Sequence, residues 1–166
     1  DIQRVPVADS GDSLVARIPG PADAPAIMFN FHQDTFDVCD DWETDPWNPV
    51  VRDGSVYGLG AHDMKGGGAS ILAAVEAITG SDVTLGGTLL VSSTTDEENW
   101  SRGAHAVIES GLIKGCSACL IPEPTPPGRL RIGSRGRHVI RVELTGKTAH
   151  AAYTGEGINA VADGAK

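Results

Sequence analysis

The sequence has few basic residues, few cysteines and no long apolar run. Its 166 residues hold 13 lysines and arginines against 22 aspartates and glutamates, which gives a formal net charge of −9. A nucleic-acid partner needs a basic face, so we expect none. No apolar stretch approaches the roughly 18 residues that cross a bilayer, so we expect no membrane partner either.

Three cysteines are an odd number and too few for the disulfide framework of a small secreted domain. Their scarcity predicts a reducing, cytoplasmic setting. Cys116 and Cys119 have the spacing of half a zinc knuckle or a redox pair, but no second pair accompanies them, and we predict buried strand cysteines. The start at Asp1, with no initiator methionine and no leader pattern, predicts a processed chain or a piece of a longer one.

Short strand-like runs alternate with helical runs, which predicts an α/β fold. Nearly continuous apolar runs indicate buried strands, and an apolar stripe on the first helix indicates that it covers the sheet. We predict a mixed sheet flanked by helices. The strand-like runs are 14–18, 26–31, 88–93 and 118–121, the helical runs are 67–78 and 104–109, and the stripe is Ile71, Leu72, Val75 and Ile78.

The hydrophobic pattern changes after residue 133. Residues 138–145 alternate between polar and apolar, which is typical of a strand with one buried face in an antiparallel sheet. We therefore expect a domain boundary near Ser134, with one domain over 1–133 and the truncated start of another over 134–166. Asn159 is predicted to cap a helix rather than to bind substrate.

Polar clusters follow the predicted strand ends or glycine-rich turns, where open α/β sheets place their ligands. In the first cluster, His32 and Asp34 are two residues apart on an extended chain and so project to the same side. The carboxylate can fix the imidazole tautomer and leave one ring nitrogen for a metal. Taken alone, the pair is equally consistent with a structural hydrogen bond.

The second cluster is the glycine-rich segment 57–68. Its Gly58-x-Gly60-x-x-Asp63 pattern places a carboxylate where the dinucleotide fingerprint needs its third glycine, and no Gly-Lys-Ser/Thr follows. Because a carboxylate repels phosphate, the pattern favours cation binding, with Asp63 able to give one oxygen to each of two metals. A nucleotide-binding domain stays a weaker alternative.

Carboxylates also follow two further predicted strands. Glu97 and Glu98 are adjacent and point opposite ways on an extended chain, so one can bind a metal while the other moves protons. Glu123 lies between Pro122 and Pro124, which restrict its backbone.

Together these clusters resemble the two-zinc exopeptidase and deacylase family, which includes acetylornithine deacetylase, succinyl-diaminopimelate desuccinylase, aminoacylase and bacterial glutamate carboxypeptidases. The resemblance runs from about Ile18 to the end of the chain. Its marks are His32-Gln-Asp34-Thr, Trp42-x-Thr-Asp-Pro-Trp-x-Pro49, Tyr57-Gly-x-Gly-x-x-Asp63-Met-Lys-Gly-Gly, Asp96-Glu-Glu98, Glu123-Pro-Thr and Gly146-Lys-x-x-His150.

The resemblance implies an incomplete zinc-exopeptidase-like catalytic domain over 1–133 and the start of a smaller α+β lid and dimerisation domain over 134–166. It also implies two Zn²⁺ ions, for which Co²⁺ or Mn²⁺ can substitute. Asp63 would bridge the two ions, His32 and Glu123 would complete the protein ligands of one, and Glu98 would serve the other.

The resemblance further implies how protons move during amide hydrolysis. Asp34 would orient His32, and Glu97 would be the general base that takes a proton from the water between the metals and passes it to the leaving amine. His150 would reach into an active site, commonly that of the partner subunit, to stabilise the oxyanion. The implied substrates are small N-acyl amino acids such as acetylornithine or succinyl-diaminopimelate, and the implied assembly is a homodimer through the lid.

This chain departs from the family in one respect: the last metal ligand of the family, a histidine near its C-terminus, has no counterpart here. We therefore expect His32, Asp63 and Glu123 to form the better metal site, since carboxylates alone favour hard ions over zinc. Two alternatives stay open at this stage. One is a dipeptidase or carboxypeptidase of the same family, and the other is a catalytically incomplete metal-binding fragment.

Overall fold

Seven short strands build the β-structure of the protein, which is described over residues 1–166 by a computed structural model. The strands are β1 (Ile2–Val5), β2 (Ser13–Ile18), β3 (Ala26–His32), β4 (Val50–Arg52), β5 (Ser55–Tyr57), β6 (Leu89–Thr94) and β7 (Cys116–Leu120). Five of them form one sheet in the order β1-β2-β6-β3-β7, while β4 and β5 form a separate hairpin. The pairs β1/β2 and β2/β6 are antiparallel, and β6/β3 and β3/β7 are parallel.

Three α-helices and two helical turns of other types complete the secondary structure. They are a π-helical turn (Ala61–Lys65), α1 (Gly66–Thr79), α2 (Arg102–Glu109), a 3₁₀ turn (Ala151–Glu156) and α3 (Ala160–Gly164). No helix is both long enough and apolar enough to span a membrane.

The two faces of the sheet carry separate apolar clusters, because side chains alternate along each strand. On one face, Ile71 of α1 packs with Leu89 and Val91 of β6. On the other face, Val107 of α2 packs with Val15 of β2. The predicted mixed sheet flanked by helices is confirmed.

The carboxyl ends of β3, β6 and β7 lie at the same edge of the sheet, because these strands are parallel. Helix α1 lies between β3 and β6 in the chain, and α2 lies between β6 and β7, yet β7 pairs with the opposite side of β3. The two crossovers leave the neighbouring parallel strands β3 and β6 over opposite faces of the sheet, with α1 on one face and α2 on the other. In open α/β sheets the crevice at such a point, outside the carboxyl ends of the strands, is where ligands bind.

Two expectations about burial are wrong. Leu72 is 54% exposed, because α1 turns its Ile71 face to the sheet and leaves Leu72 outside. Cys119 is exposed and Cys116 only half-buried, because β7 lies at the edge of the sheet. All three cysteines are free thiols.

The chain divides into two compact units, residues 1–130 and residues 131–166. In the second unit the strand expected over 138–145 does not form, and its residues are exposed without regular structure. A strand needs a hydrogen-bonded neighbour, and the β-pairing in this unit is a single bridge between Lys147 and Ile158. The predicted division into a catalytic domain over 1–133 and a lid over 134–166 stays a prediction.

The cap predicted for Asn159 is confirmed in the second unit. The Asn159 side-chain oxygen accepts the backbone N–H groups of Val161 and Ala162, each at 3.1 Å. These two N–H groups lie in the first turn of α3 and have no partner within the helix. The side chain is therefore occupied by the backbone of its own helix.

Neighbouring residues of α1 test this arrangement. We expect Ile71→Ala to lower the free energy of unfolding by about 2–5 kcal/mol, since it empties a buried site in the cluster with Leu89 and Val91. The matched control Leu72→Ala removes an exposed side chain from the same helix and should stay within about 0.5 kcal/mol of the original. Urea unfolding followed by circular dichroism measures both, and equal losses would show that α1 is packed differently.

Candidate metal centre

One imidazole and four carboxylates converge at the carboxyl edge of the parallel strands. His32 is the last residue of β3, Glu97 and Glu98 follow β6, and Glu123 follows β7. Asp63 lies in the π-helical turn that leads into α1, and the peptide bond after it is cis. The cluster thus draws on four segments that are far apart in the sequence.

The His32 ring is buried, with 1% of its surface exposed, and both ring nitrogens are engaged. Nδ1 lies 2.9 Å from the backbone oxygen of Asp34. Because a carbonyl only accepts, Nδ1 carries a proton, and Nε2 is the ring nitrogen that faces the carboxylates. Nε2 lies 3.2 Å from Asp63 Oδ1, to which the protonated ring donates; in the neutral ring the Nε2 lone pair is left for a metal ion.

The carboxylates form two overlapping groups around His32. Nε2 lies 3.8 Å from Glu123 Oε1 and 3.9 Å from Glu97 Oε2. One group is His32, Glu97 and Glu123, and the other is His32, Asp63 and Glu98; in each group the possible ligand atoms all lie within 4.8 Å of one another. This grouping differs from the one that the resemblance implies, in which Glu123 rather than Glu98 joins His32 and Asp63.

Asp34 organises the site through its carbonyl and its carboxylate. Its carboxylate accepts the backbone N–H of Glu97 at Oδ1 and that of Glu98 at Oδ2, both at 3.1 Å. The sequence predicts that this carboxylate holds the imidazole, but its Oδ1 lies 3.6 Å from His32 Nδ1, farther than the Asp34 carbonyl oxygen at 2.9 Å. Sequence reasoning missed the bonds to the two glutamates, since they join residues more than sixty positions apart.

Burial and crowding make the carboxylates hard to ionise together. Burial, together with the charges of Asp63 and Glu97, raises the pKa of Glu123 to about 7. Burial and the same two charges also raise the pKa of Glu98. Neighbouring carboxylates that share a site repel each other when ionised, and a bound cation removes that cost.

The His32 imidazole is the basic group among them. Its burial by itself would lower its pKa, but the hydrogen bonds to Asp34 and Asp63 and the charges of Glu123 and Glu97 raise it overall. The centre therefore attracts positive charge.

The donor set fits divalent metal ions. One imidazole nitrogen and several carboxylate oxygens, with no thiolate, suit Zn²⁺, Mn²⁺ and Co²⁺.

The glycine-rich segment allows the start of α1 to lie close to the backbone next to Glu123. A side chain at Gly67 in the first turn of α1 would overlap the Pro122 carbonyl, next to Glu123.

A cavity of about 540 Å³ adjoins the centre at Asp34. Its walls are mostly apolar, including Trp47 and Leu59, and the Lys65 side chain also lines it. Sites for small organic molecules typically have volumes of about 300–1,000 Å³. The surface beside Asp34 therefore offers space of small-molecule size.

His150 belongs to the second unit and caps the 3₁₀ turn there. Its Nδ1 accepts the backbone N–H of Ala152 at 3.1 Å, and its ring centroid lies 5.9 Å from that of Tyr153. Nε2 is then the ring nitrogen left for another partner. Its catalytic role stays a prediction.

Comparison with protein families matches residues 28–166 to peptidase family M20/M25/M40. Among curated relatives, the succinyl-diaminopimelate desuccinylase of Roseobacter denitrificans is 36% identical over 157 residues, which cover 88% of this chain and 41% of the relative. The chain thus spans about two fifths of the length of the relatives it matches.

Solved structures show the same fold. Human carnosine dipeptidase 1 superposes with a TM-score of 0.63 at 22% identity, over 73% of this chain and 28% of the dipeptidase. A dinuclear metal binding peptidase of the M20 family from Bacillus subtilis superposes with a TM-score of 0.53 at 25% identity, over 72% of this chain and 32% of the peptidase.

The bonds from Asp34 to the two glutamates make a testable contribution to metal binding. We expect Asp34→Asn to weaken Zn²⁺ binding about 10- to 100-fold, because an amide offers one acceptor oxygen to two N–H donors. Calorimetric titration of the 166-residue chain with zinc chloride measures the affinity. Asp37→Asn, which removes the same charge from an exposed position in the same loop, is the control. Equal affinities for the two variants would contradict the expectation.

The raised pKa values predict how the stability of the metal-free chain depends on pH. Folding raises the pKa of Glu123 to about 7 and also raises that of His32, so the folded state binds more protons than the unfolded state near neutrality. Stability should therefore fall as the pH rises from about 5 to about 8. Urea midpoints in the presence of a chelator measure this slope, which should be shallower in Glu123→Gln than in the exposed control Glu109→Gln. Equal slopes in these two variants would show that Glu123 does not contribute.

Proposed function

This chain belongs to peptidase family M20, and on that premise we propose that it carries the metal-binding part of a hydrolase that cleaves the amide bond of small N-acyl amino acids. The observation that carries the proposal is the cluster itself. A buried imidazole presents Nε2 to carboxylates from three other segments at the carboxyl edge of the sheet. The relation to a desuccinylase at 36% identity supports the choice of substrate class.

We propose His32, Asp63, Glu98 and Glu123 as the residues that hold two divalent ions, with zinc as the natural metal. When bound, such ions polarise the amide carbonyl and lower the pKa of water. The buried ring of His32 supplies the nitrogen ligand that distinguishes a zinc site from an all-oxygen site.

Glu97 is the proposed general base. Its side chain is 46% exposed and its Oε2 lies 3.9 Å from His32 Nε2, so it borders both the centre and the solvent from which substrate arrives. In the proposed reaction its carboxylate takes a proton from the attacking water and gives it to the leaving nitrogen. Asp34 holds the Glu97 backbone in place by accepting its N–H. His150 is proposed to donate to the developing oxyanion.

A peptidase of the same family is the second candidate. The Bacillus subtilis M20 peptidase at 25% identity supports it. Both activities hydrolyse an amide with the same centre, and they differ in the group recognised on either side of the bond. The third candidate is a chain that binds metal but does not catalyse hydrolysis.

We also propose a homodimer that forms through the lid over 134–166, and a cytoplasmic location. The location is supported by the three free thiols, since disulfides are rare in reducing compartments. The proposal of a dimer rests on the resemblance of residues 146–150, Gly146-Lys-x-x-His150, to the lid of the family.

Exchange of the proposed base tests this function. Glu97→Gln should lower turnover about 10²- to 10⁴-fold and leave the Zn²⁺ affinity unchanged, since Glu97 is assigned to proton transfer rather than to metal binding. Turnover is measured with succinyl-diaminopimelate, acetylornithine and a dipeptide, on the longest polypeptide that carries this sequence. Glu109→Gln removes an exposed carboxylate from α2 and is the control.

The outcomes separate the candidates. Loss of zinc together with turnover in Glu97→Gln would make Glu97 a ligand, as its grouping with His32 and Glu123 permits. Hydrolysis of the dipeptide alone would select the peptidase. Tight zinc binding without hydrolysis of any substrate would select the metal-binding chain.

A further inference from the structure

Glu97 and Glu98 lie on a short loop, residues 95–101, that we name the glutamate loop. The loop is closed at its base, because Ser101 donates its backbone N–H to the Asp96 carbonyl at 2.6 Å. Asp96 and Ser101 both adopt positive φ angles, 64° and 54°, which turn the chain back on itself. The two glutamates are thus carried on a small ring of backbone whose ends determine where they point.

Arg102, the first residue after this loop, binds Asp96 with two parallel hydrogen bonds. Its Nε lies 2.7 Å from Oδ2 and its Nη2 lies 2.9 Å from Oδ1. Asp96 is only 4% exposed, and the guanidinium lowers its pKa to about 2. Both carboxylate oxygens of Asp96 are therefore engaged by Arg102.

The same guanidinium reaches the segment that joins β1 to β2. Arg102 Nη1 donates to the Ala8 carbonyl at 3.1 Å. Beside it, Thr95 Oγ1 lies 2.9 Å from the Ser10 carbonyl, and the Thr95 N–H donates to Ser13 Oγ at 3.3 Å. We name β1, β2 and the segment between them, residues 2–18, the N-terminal hairpin. It therefore holds the glutamate loop at its start, Thr95, and through Arg102, which follows its end.

Helix α2 packs closely against this anchor. A side chain at Gly103 would overlap the Thr95 carbonyl and would lie within 2.7 Å of Ser13 Oγ. The Gly103 N–H donates to the Thr95 carbonyl at 3.1 Å. The first turn of α2, the start of the loop and β2 are thus in direct contact, which leaves little freedom for the base of the loop.

We propose that Asp96 and Arg102 are positioning residues: their ion pair, anchored on the Ala8 carbonyl, holds the glutamate loop so that Glu97 and Glu98 stay beside His32. The segment that joins β1 to β2 thereby supports the site through Ala8 and Ser10, although it contributes no ligand. The link to metal binding rests on the proposed function, whereas the link to loop geometry does not. The two links are separated by two different measurements.

Arg102→Lys is the sharpest variant, because lysine keeps the positive charge but has no planar fork to bind both Asp96 oxygens and the Ala8 carbonyl together. The first measurement is hydrogen exchange of the Glu97 and Glu98 amides by NMR, which reports their bonds to Asp34 without any metal. The second is the Zn²⁺ affinity. We expect faster exchange at both amides and an affinity lower by about 10- to 100-fold.

Arg4→Lys is the matched control. Arg4 forms an exposed ion pair with Asp12 at 3.3 Å on the same hairpin, and no contact joins it to the glutamate loop. Its exchange pattern and affinity should equal those of the original chain. Unfolding midpoints in urea confirm that each variant is folded, and if Arg102→Lys does not fold, Asp96→Asn, which removes the charge that Arg102 binds, tests the same ion pair with the same two measurements.

Unchanged exchange at Glu97 and Glu98 in a folded variant would overturn the proposal. Faster exchange with unchanged zinc affinity would overturn the link to metal binding. If the original chain binds no zinc, the proposed function fails, and the exchange measurement alone decides whether Asp96 and Arg102 position the loop.

Discussion

The site depends on the parallel pairing of β3 with β6 on one side and β7 on the other. In this register His32 lies opposite Thr94, so the residues after β6 begin where β3 ends. A segment leaving any of these strands at its carboxyl end emerges at the same edge. Apolar clusters on both faces stabilise the sheet, which lets it hold a group of mutually repelling carboxylates together.

Asp34 connects the geometry of the sheet to the chemistry at its edge. Its carbonyl sets the tautomer of His32 and its carboxylate binds the backbone of Glu97 and Glu98. The position of this one residue therefore determines both which nitrogen faces the cluster and where the two glutamates lie. Arg102 acts from the other side of the same loop, so the loop is held between the strand end and the N-terminal hairpin.

In the first unit, strands β2, β3, β6 and β7 and helices α1 and α2 were predictable, because apolar runs and the α1 stripe depend on neighbours along the chain, whereas β1, β4 and β5 were not predicted. Burial was less so. Leu72 and Cys119 are apolar enough for a core, but whether they are covered depends on which element packs over them. Residues 138–145 alternate like a strand, yet alternation cannot supply a partner to pair with.

The sequence by itself determined the chemistry available at the site, the α/β class and the family, because donor types and their positions after strand-like runs can be read along the chain. Only the tertiary structure decided which donors share the His32 nitrogen, that Asp34 holds the ring by its carbonyl, and that Asp96 pairs with Arg102. These contacts depend on distances and orientations set by strand pairing and helix packing, which a linear pattern does not contain.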